Sequence, residues 1–270
     1  MGKGVDSLRR LVEQHGDMLP VLEACLEMAR EERSDLDPSV YFRQIEAWAA
    51  RARRSNASDV GESVRHVLFA QEGFRGSRDA WSRPESSLVD RVLDSRHGLP
   101  ITLSIVYVEV ARAAGLDAFG IGFPAHFLVR ERVGEVSRFV DPFARGMVRS
   151  EHELPAFLRQ VSGGAESYEP WMIEPSMPKT TLLRVLMNLK VTYLRRSDLL
   201  GAISTLDRMV VLDPSNPELW KERGLSYARI GLASAALKDL EKVQRVSTPT
   251  AADELEVVIQ SLRRAVMSMN

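Results

Sequence analysis

A single cysteine, Cys25, stands among 270 residues, so no intrachain disulfide can brace the fold and no cysteine pair offers a thiolate cage for zinc. Long apolar runs are missing too. The uncharged stretches at residues 99–108 and 118–129 fall short of the roughly 18 residues that a membrane span needs. Net charge is almost absent: 36 basic residues face 37 acidic ones, which leaves no overall positive field to hold nucleic acid or an anionic membrane. The opening MGKGVDSLRR lacks the apolar core of a secretory leader, and with one unpaired thiol this sets a cytoplasmic expectation. No Gly-rich loop is followed by Lys-Ser or Lys-Thr, so no phosphate cradle is expected. His66, His97, His126 and His152 share no i, i+4 spacing, so neither a metal site nor any cofactor is expected.

What remains is the composition of a folded chain, 44% apolar and 27% charged. Residues 8–54 carry helical spacing: Leu19, Leu22 and Leu26 share one face, and Tyr41, Ile45, Trp48 and Ala49 another. Asp37 before Pro38 reads as an N-cap followed by proline at the first helical position. Further helices are expected over 60–71 and 87–95. A deeply apolar one over 101–114 is closed by Gly115 as its C′ residue. The period then changes. Residues 118–123, 127–130 and 138–143 are short, rich in Phe, Val and Ile, and separated by Gly and Pro, as strands are, with Gly134 placed to turn a hairpin. One central helix with a small antiparallel sheet makes this an α+β domain, expected over residues 1–170.

Residues 171–270 read as a second domain, all helical beyond a Pro- and Ser-rich linker. Tyr193 recurs as Tyr227, Ala202 as Ala236, Leu206 as Leu240 and Asp207 as Glu241, each pair thirty-four residues apart, the period of a tetratricopeptide helix-turn-helix unit. Gly224 supplies the small residue that close helix approach needs, whereas Lys190 fills the equivalent place in the first unit. Two units are expected, with a capping helix over about 252–267 to cover the exposed end.

Two polar residues sit in apolar strand-like runs, His126 in Phe-Pro-Ala-His-Phe-Leu-Val and Asp141 in Phe-Val-Asp-Pro-Phe. A histidine oriented by a carboxylate on a neighbouring strand is the base half of a catalytic triad. Equally, a buried pair of this kind is a hydrogen bond that orders two strands. The strings Gly-Leu-Pro-Ile-Thr-Leu-Ser from Gly98, Gly-Phe-Pro-Ala-His-Phe-Leu-Val-Arg from Gly122, and Val-Asp-Pro-Phe from Val140 resemble bacterial transglutaminase-like proteins of the SirB type. That resemblance spans nearly the whole chain and implies a transglutaminase-like core joined to tetratricopeptide repeats. It gives His126 and Asp141 the parts of the catalytic histidine and aspartate.

The same resemblance, counted back from Gly115, puts the nucleophilic cysteine of active relatives at Pro100, which carries no nucleophile. Thr102 lies about 200° around the helix from that position, and Ser104 roughly 6 Å deeper along its axis. Cys25, between Leu22 and Leu26, reads as a small core hydrophobe, and His97 as a loop residue or cap. The expectation is therefore a protein that binds or regulates without catalysis. The competing reading is an amide hydrolase or acyl transferase in which His126 and Asp141 act on water or on a nucleophile other than cysteine. In the repeats, the resemblance turns Arg184, Met187, Val191, Arg195, Lys221 and Arg229 toward the concave groove, beside Glu218. With Arg184, Arg195, Lys221 and Arg229 basic, a protein or peptide partner of acidic character is expected there. The alternative for this face is that it completes the core of the preceding domain.

Overall fold

In a computed structural model of the chain, residues 3–31, 33–55, 59–77, 79–134 and 136–268 are described. Met1 and Gly2, part of the stretch read as lacking a leader, lie outside them. The chain divides into two compact units, Met1–Asn188 and Leu189–Asn270, and each is taken by itself.

The first unit begins with a helical layer: α1 (Lys3–His15), α2 (Val21–Ala29), α3 (Pro38–Arg53) and α4 (Val60–Arg65). The break expected at residues 35–38 is present, and Asp37 caps α3 by accepting from the Ser39 amide. A second break, at Gly16 to Pro20, splits the first helical stretch into α1 and α2. Asp59 caps α4, accepting from the Glu62 amide, and the helix widens into π turns over His66–Gln71. A two-residue parallel pair, β1 (Arg75–Gly76) with β2 (His97–Gly98), brackets α5 (Val89–Ser95).

Helix α6 (Pro100–Ala113) is the axis of this unit. Its residues from Pro100 to Val108 are all buried, because it lies between the helical layer and the sheet and has no solvent face to keep polar. The sheet is antiparallel, in the order β3 (Asp117–Ile121), β4 (Leu128–Val133), β5 (Val136–Asp141), β6 (Met147–Arg149). Gly134, at φ +60°, opens the turn between β4 and β5 as its sequence position implied. Strand β6 and helix α7 (Leu154–Ser162) were not expected. Helix α7 buries Leu154, Phe157 and Leu158 with Ile121, Phe123, Leu128 and Phe139 in one cluster. The outcome is the α+β architecture read from the sequence.

Beyond a turn of 3-10 helix at Pro170–Ile173, the chain pairs Pro175 with Ile121 and the Ser176 amide with the Gly120 carbonyl. Helix α8 (Pro178–Arg195) follows, and the division between the units falls inside it, after Asn188. Composition placed the boundary earlier, after residue 170. The difference arises because residues 175–184 are tied by hydrogen bonds to Gly120, Phe123 and His126 of the first unit.

The second unit runs from the end of α8 through α9 (Leu199–Leu212), α10 (Pro217–Arg229), α11 (Ala233–Gln244) and α12 (Pro249–Ser268). The helices form antiparallel pairs with short turns, the helical repeat architecture that the thirty-four-residue period implied. Gly224 has the role assigned to it, since a Cβ there would lie 2.9 Å from the Leu240 side chain. The buried Lys190 is accommodated by an ion pair with Glu222. Leu240, Val243, Leu255 and Ile259 form the core under α12.

Candidate functional site

Antiparallel pairing of β4 and β5 sets the start of one strand beside the end of the other, Val129 opposite Val140. His126, just before β4, therefore meets Asp141, the last residue of β5. The imidazole Nε2 lies 3.0 Å from Asp141 Oδ1, and both side chains are buried. A carboxylate only accepts, so Nε2 carries the proton and the Nδ1 lone pair is left to face outward. No group among the described residues hydrogen-bonds to Nδ1. Asp141 Oδ1 also accepts from the Ala144 amide, and Arg149 sits 3.9 Å from Oδ2 while its guanidinium covers the Phe157 ring at 3.9 Å. Phe143 and Phe157 meet the imidazole edge-on, with ring centres 6.0 and 5.2 Å away. The ring is thus clamped on its sides and oriented from behind. Ala125, beside it, is held at φ +55°, a left-handed conformation costing on the order of 1 kcal/mol for a non-glycine residue.

The imidazole opens on a cleft of about 140 Å³ lined by Trp81, Pro100, Ile101, Ala125, His126, Phe127, Arg184 and Asn188. No lining residue carries a hydroxyl or a thiol. Pro100 occupies the first position of α6, so the helix N-terminus, with its partial positive charge, points into the same space. Arg184 enters from α8. Its Nη2 donates to the carbonyls of Phe123, at 2.8 Å, and of His126, and its guanidinium lies over the Phe127 ring. Gly122 lies beside it, where a Cβ would be in ordinary contact with Nη1 at 3.5 Å. Burial without a carboxylate partner pushes the Arg184 guanidinium below its usual range.

The profile of the transglutaminase-like superfamily matches residues 39–187, more than half of the chain. The chain belongs to that superfamily. A tetratricopeptide repeat profile matches residues 189–260, so a transglutaminase-like domain is followed by repeats. Similar proteins include a UPF0162 protein of Xylella fastidiosa, 32% identical over 84% of this chain and 83% of its own. A UPF0162 protein of Vibrio cholerae is 28% identical over 72% and 73%, and UPF0162 protein YchA of Escherichia coli 24% over 86% and 88%. No solved structure matches the chain.

Against the transglutaminase-like pattern, none of the substitutes weighed for the missing thiol lines the His126 cleft. The Thr102 hydroxyl accepts from the Leu99 amide and donates to the Ser86 carbonyl at 2.8 Å, which ties down the start of α6. Ser104 faces a separate, smaller cavity with Val108, Gly120 and Thr181. Cys25 is buried in α2, where desolvation first, then Glu109 and Asp90, push its thiol up and away from the thiolate. His97 has both ring nitrogens engaged, with Nδ1 2.6 Å from the Ser95 carbonyl and Nε2 accepting from Arg75 Nε at 2.9 Å. Among the described residues no cluster of His, Cys, Asp and Glu forms a metal cage, and no helix is long and apolar enough to cross a membrane.

The four basic residues assigned to the repeat groove divide. Arg184 lies in the first unit and faces the His126 cleft, because the first half of α8 belongs there. Met187 is exposed on that same half. Arg195 and Arg229 are exposed in the last turns of α8 and α10, thirty-four residues apart, and form no ion pair among the described residues. Lys221 lies 3.9 Å from Glu218, the acid on the same face. Sequence reasoning missed Phe143, Phe157, Arg149 and Trp81. Phe157 was within reach of it, since Leu154, Phe157, Leu158 and Val161 repeat at helical spacing.

Proposed function

We propose that this chain binds a protein partner and performs no acyl transfer, as a SirB-type transglutaminase-like protein whose cleft serves recognition. The observation that carries this reading is Pro100. The position from which a nucleophile would attack, next to an imidazole already oriented by Asp141, is filled by a side chain that cannot attack. Cys25, kept as a buried neutral thiol, agrees with a reducing, cytoplasmic setting. Arg195 and Arg229, at equivalent places in consecutive repeats, give the second unit two unpaired cations of fixed spacing, the complement of an acidic peptide.

One experiment addresses both halves. Purified chain is offered activated esters and peptide amides, and separately a labelled peptide of consecutive glutamates. The expected result is no turnover above that of His126→Ala, together with peptide binding that Arg195→Glu combined with Arg229→Glu abolishes. The open Nδ1 of His126 favours a second reading, a hydrolase that activates water. Turnover lost in His126→Ala would establish that reading and overturn the first.

A further inference from the structure

The cation in the His126 cleft has no counter-ion. Elsewhere in the first unit, arginines taken out of bulk water meet carboxylates: Arg33 meets Asp90 at 2.9 Å, Arg65 meets Glu131 at 2.9 Å and Arg138 meets Asp59 at 2.9 Å. That is the ordinary outcome, because a desolvated charge left unpaired is costly. Arg184 is half-buried, and its charge meets main-chain carbonyls and the face of the Phe127 ring but no carboxylate among the described residues. Its Nη2 is spent on the Phe123 and His126 carbonyls, while Nε and Nη1 have no acceptor among the described residues. A guanidinium fixed at one nitrogen is held in place while its charge and its other N–H groups stay available to an anion.

Three further features surround the same space. Ile101, in the first turn of α6, lines the cleft, and its amide has no acceptor among the described residues, as expected of a first-turn N–H. The helix dipole adds partial positive charge there. The only acid at the site among the described residues, Asp141, lies behind the imidazole and is already occupied by Nε2, the Ala144 amide and Arg149. One full positive charge with one helix terminus suits a monovalent anion; a phosphate dianion would ask for more cations than the cleft holds. At about 140 Å³ the space is well below the roughly 300–1,000 Å³ of pockets for drug-sized ligands. It admits a carboxylate on a short aliphatic stem, with Trp81, 41% exposed, at the rim for whatever the stem is attached to.

We propose that the His126 cleft is a carboxylate-binding pocket in which Arg184 and the N-terminus of α6 hold the acid group of a peptide, either a glutamate side chain or a free C-terminus. This rests on the reading of the cleft as a recognition site, and names the chemistry it recognises. The carboxylate takes one open N–H of Arg184 and the Ile101 amide, and no bond is made or broken.

The test is calorimetric or NMR titration of the full chain with N-acetylglutamate methylamide, which carries a side-chain carboxylate, and with N-acetylalanine, which carries a terminal one. Their carboxamide counterparts serve as neutral controls. At least one acid should bind, and which of them does distinguishes the two sources. Its carboxamide should bind at least tenfold more weakly. Arg184→Gln, which keeps a donor for the Phe123 and His126 carbonyls but loses the charge, should weaken the acid at least tenfold, and Arg184→Lys should weaken it less. Circular dichroism melts establish that both variants are folded.

Equal binding of acids and carboxamides, unchanged affinity in folded Arg184→Gln, or no binding of either acid up to its solubility would overturn the proposal. None of those results touches the absence of catalysis. Conversely, His126-dependent ester turnover would sink the non-catalytic reading while leaving the preference for acids measurable.

Discussion

If Pro100 stands in the nucleophile position, Pro100→Cys should yield a thiol of abnormal reactivity. The substitution is local, since proline at a first helical turn makes no amide hydrogen bond and its loss costs about 0.4–1 kcal/mol of chain pre-organisation. The new side chain would share a 140 Å³ cleft with an imidazole braced by Asp141 and would sit at the positive end of α6, a fourteen-residue helix. Those two influences bring thiols from about 8.5 into the range of about 3.5–7.5. With a value of about 6, roughly a quarter of the thiol is ionised at pH 5.5, against about 0.1% for an ordinary cysteine. The lower basicity takes back about tenfold in intrinsic nucleophilicity, at a Brønsted slope of about 0.45. Alkylation by iodoacetamide at pH 5.5 should therefore run about 20-fold faster than for a free cysteine. Most of that gain should vanish when His126→Ala is added. The unsubstituted chain is the blank, as Cys25 is buried and its thiol is pushed up. An ordinary rate that rises only near pH 8.5, or a fast rate indifferent to His126, would refute the assignment of this position.

Glu131 is fully buried on β4 between Arg65 and Arg138 and accepts from the Tyr107 hydroxyl, so Glu131→Gln strands the Arg65 guanidinium, while Arg138 keeps Asp59, and should cost about 3–5 kcal/mol in urea unfolding. A loss below 1 kcal/mol would refute that. Gly76→Ala sets a Cβ 2.2 Å from the Phe143 ring, which borders His126. It should lower stability by about 1–3 kcal/mol and shift the His126 ring resonances, and unchanged resonances would disprove the coupling. Asp59 is held at about 2, below its ordinary 3.8, chiefly by the hydrogen bond from Arg138 and then by the Glu62 amide. Its contribution is complete above 3.8 and disappears as pH falls through about 2. After allowance for solvent screening of the Arg138 pair this amounts to about 1 kcal/mol, so Asp59→Asn should flatten the stability profile between pH 4 and 2.

The parts of the fold legible in the sequence are those written in local periodicity. Helix α6, strands β3 to β5 and the repeat pairs show themselves through spacing alone, and a polar residue inside an apolar strand marks both His126 and Asp141. What was illegible depends on contacts distant in sequence. Arg184 has the spacing of a repeat-face residue, and only the carbonyls of Phe123 and His126, some sixty positions earlier, hold it in the cleft. Glu131 shares a face of β4 with Val129, but its charge reads as solvated; it is buried because Arg65 and Arg138 arrive from α4 and β5 to meet it. Helix α7 is short and begins with proline at its second residue, so its pattern is over before it accumulates.

Pro100 removes more than a sulfur atom. In acyl-transfer enzymes the main-chain N–H of the attacking residue itself commonly holds the negative oxygen of the tetrahedral intermediate, and a pyrrolidine nitrogen has no hydrogen to offer. A water molecule activated by His126 would thus create an oxyanion facing a helix terminus whose nearest main-chain donor is gone. If Pro100 fills the nucleophile position, one ring closure takes away the attacking group and its N–H together, and a serine or threonine delivered to the cleft from another loop would depend on the Ile101 amide and Arg184 to hold the charge.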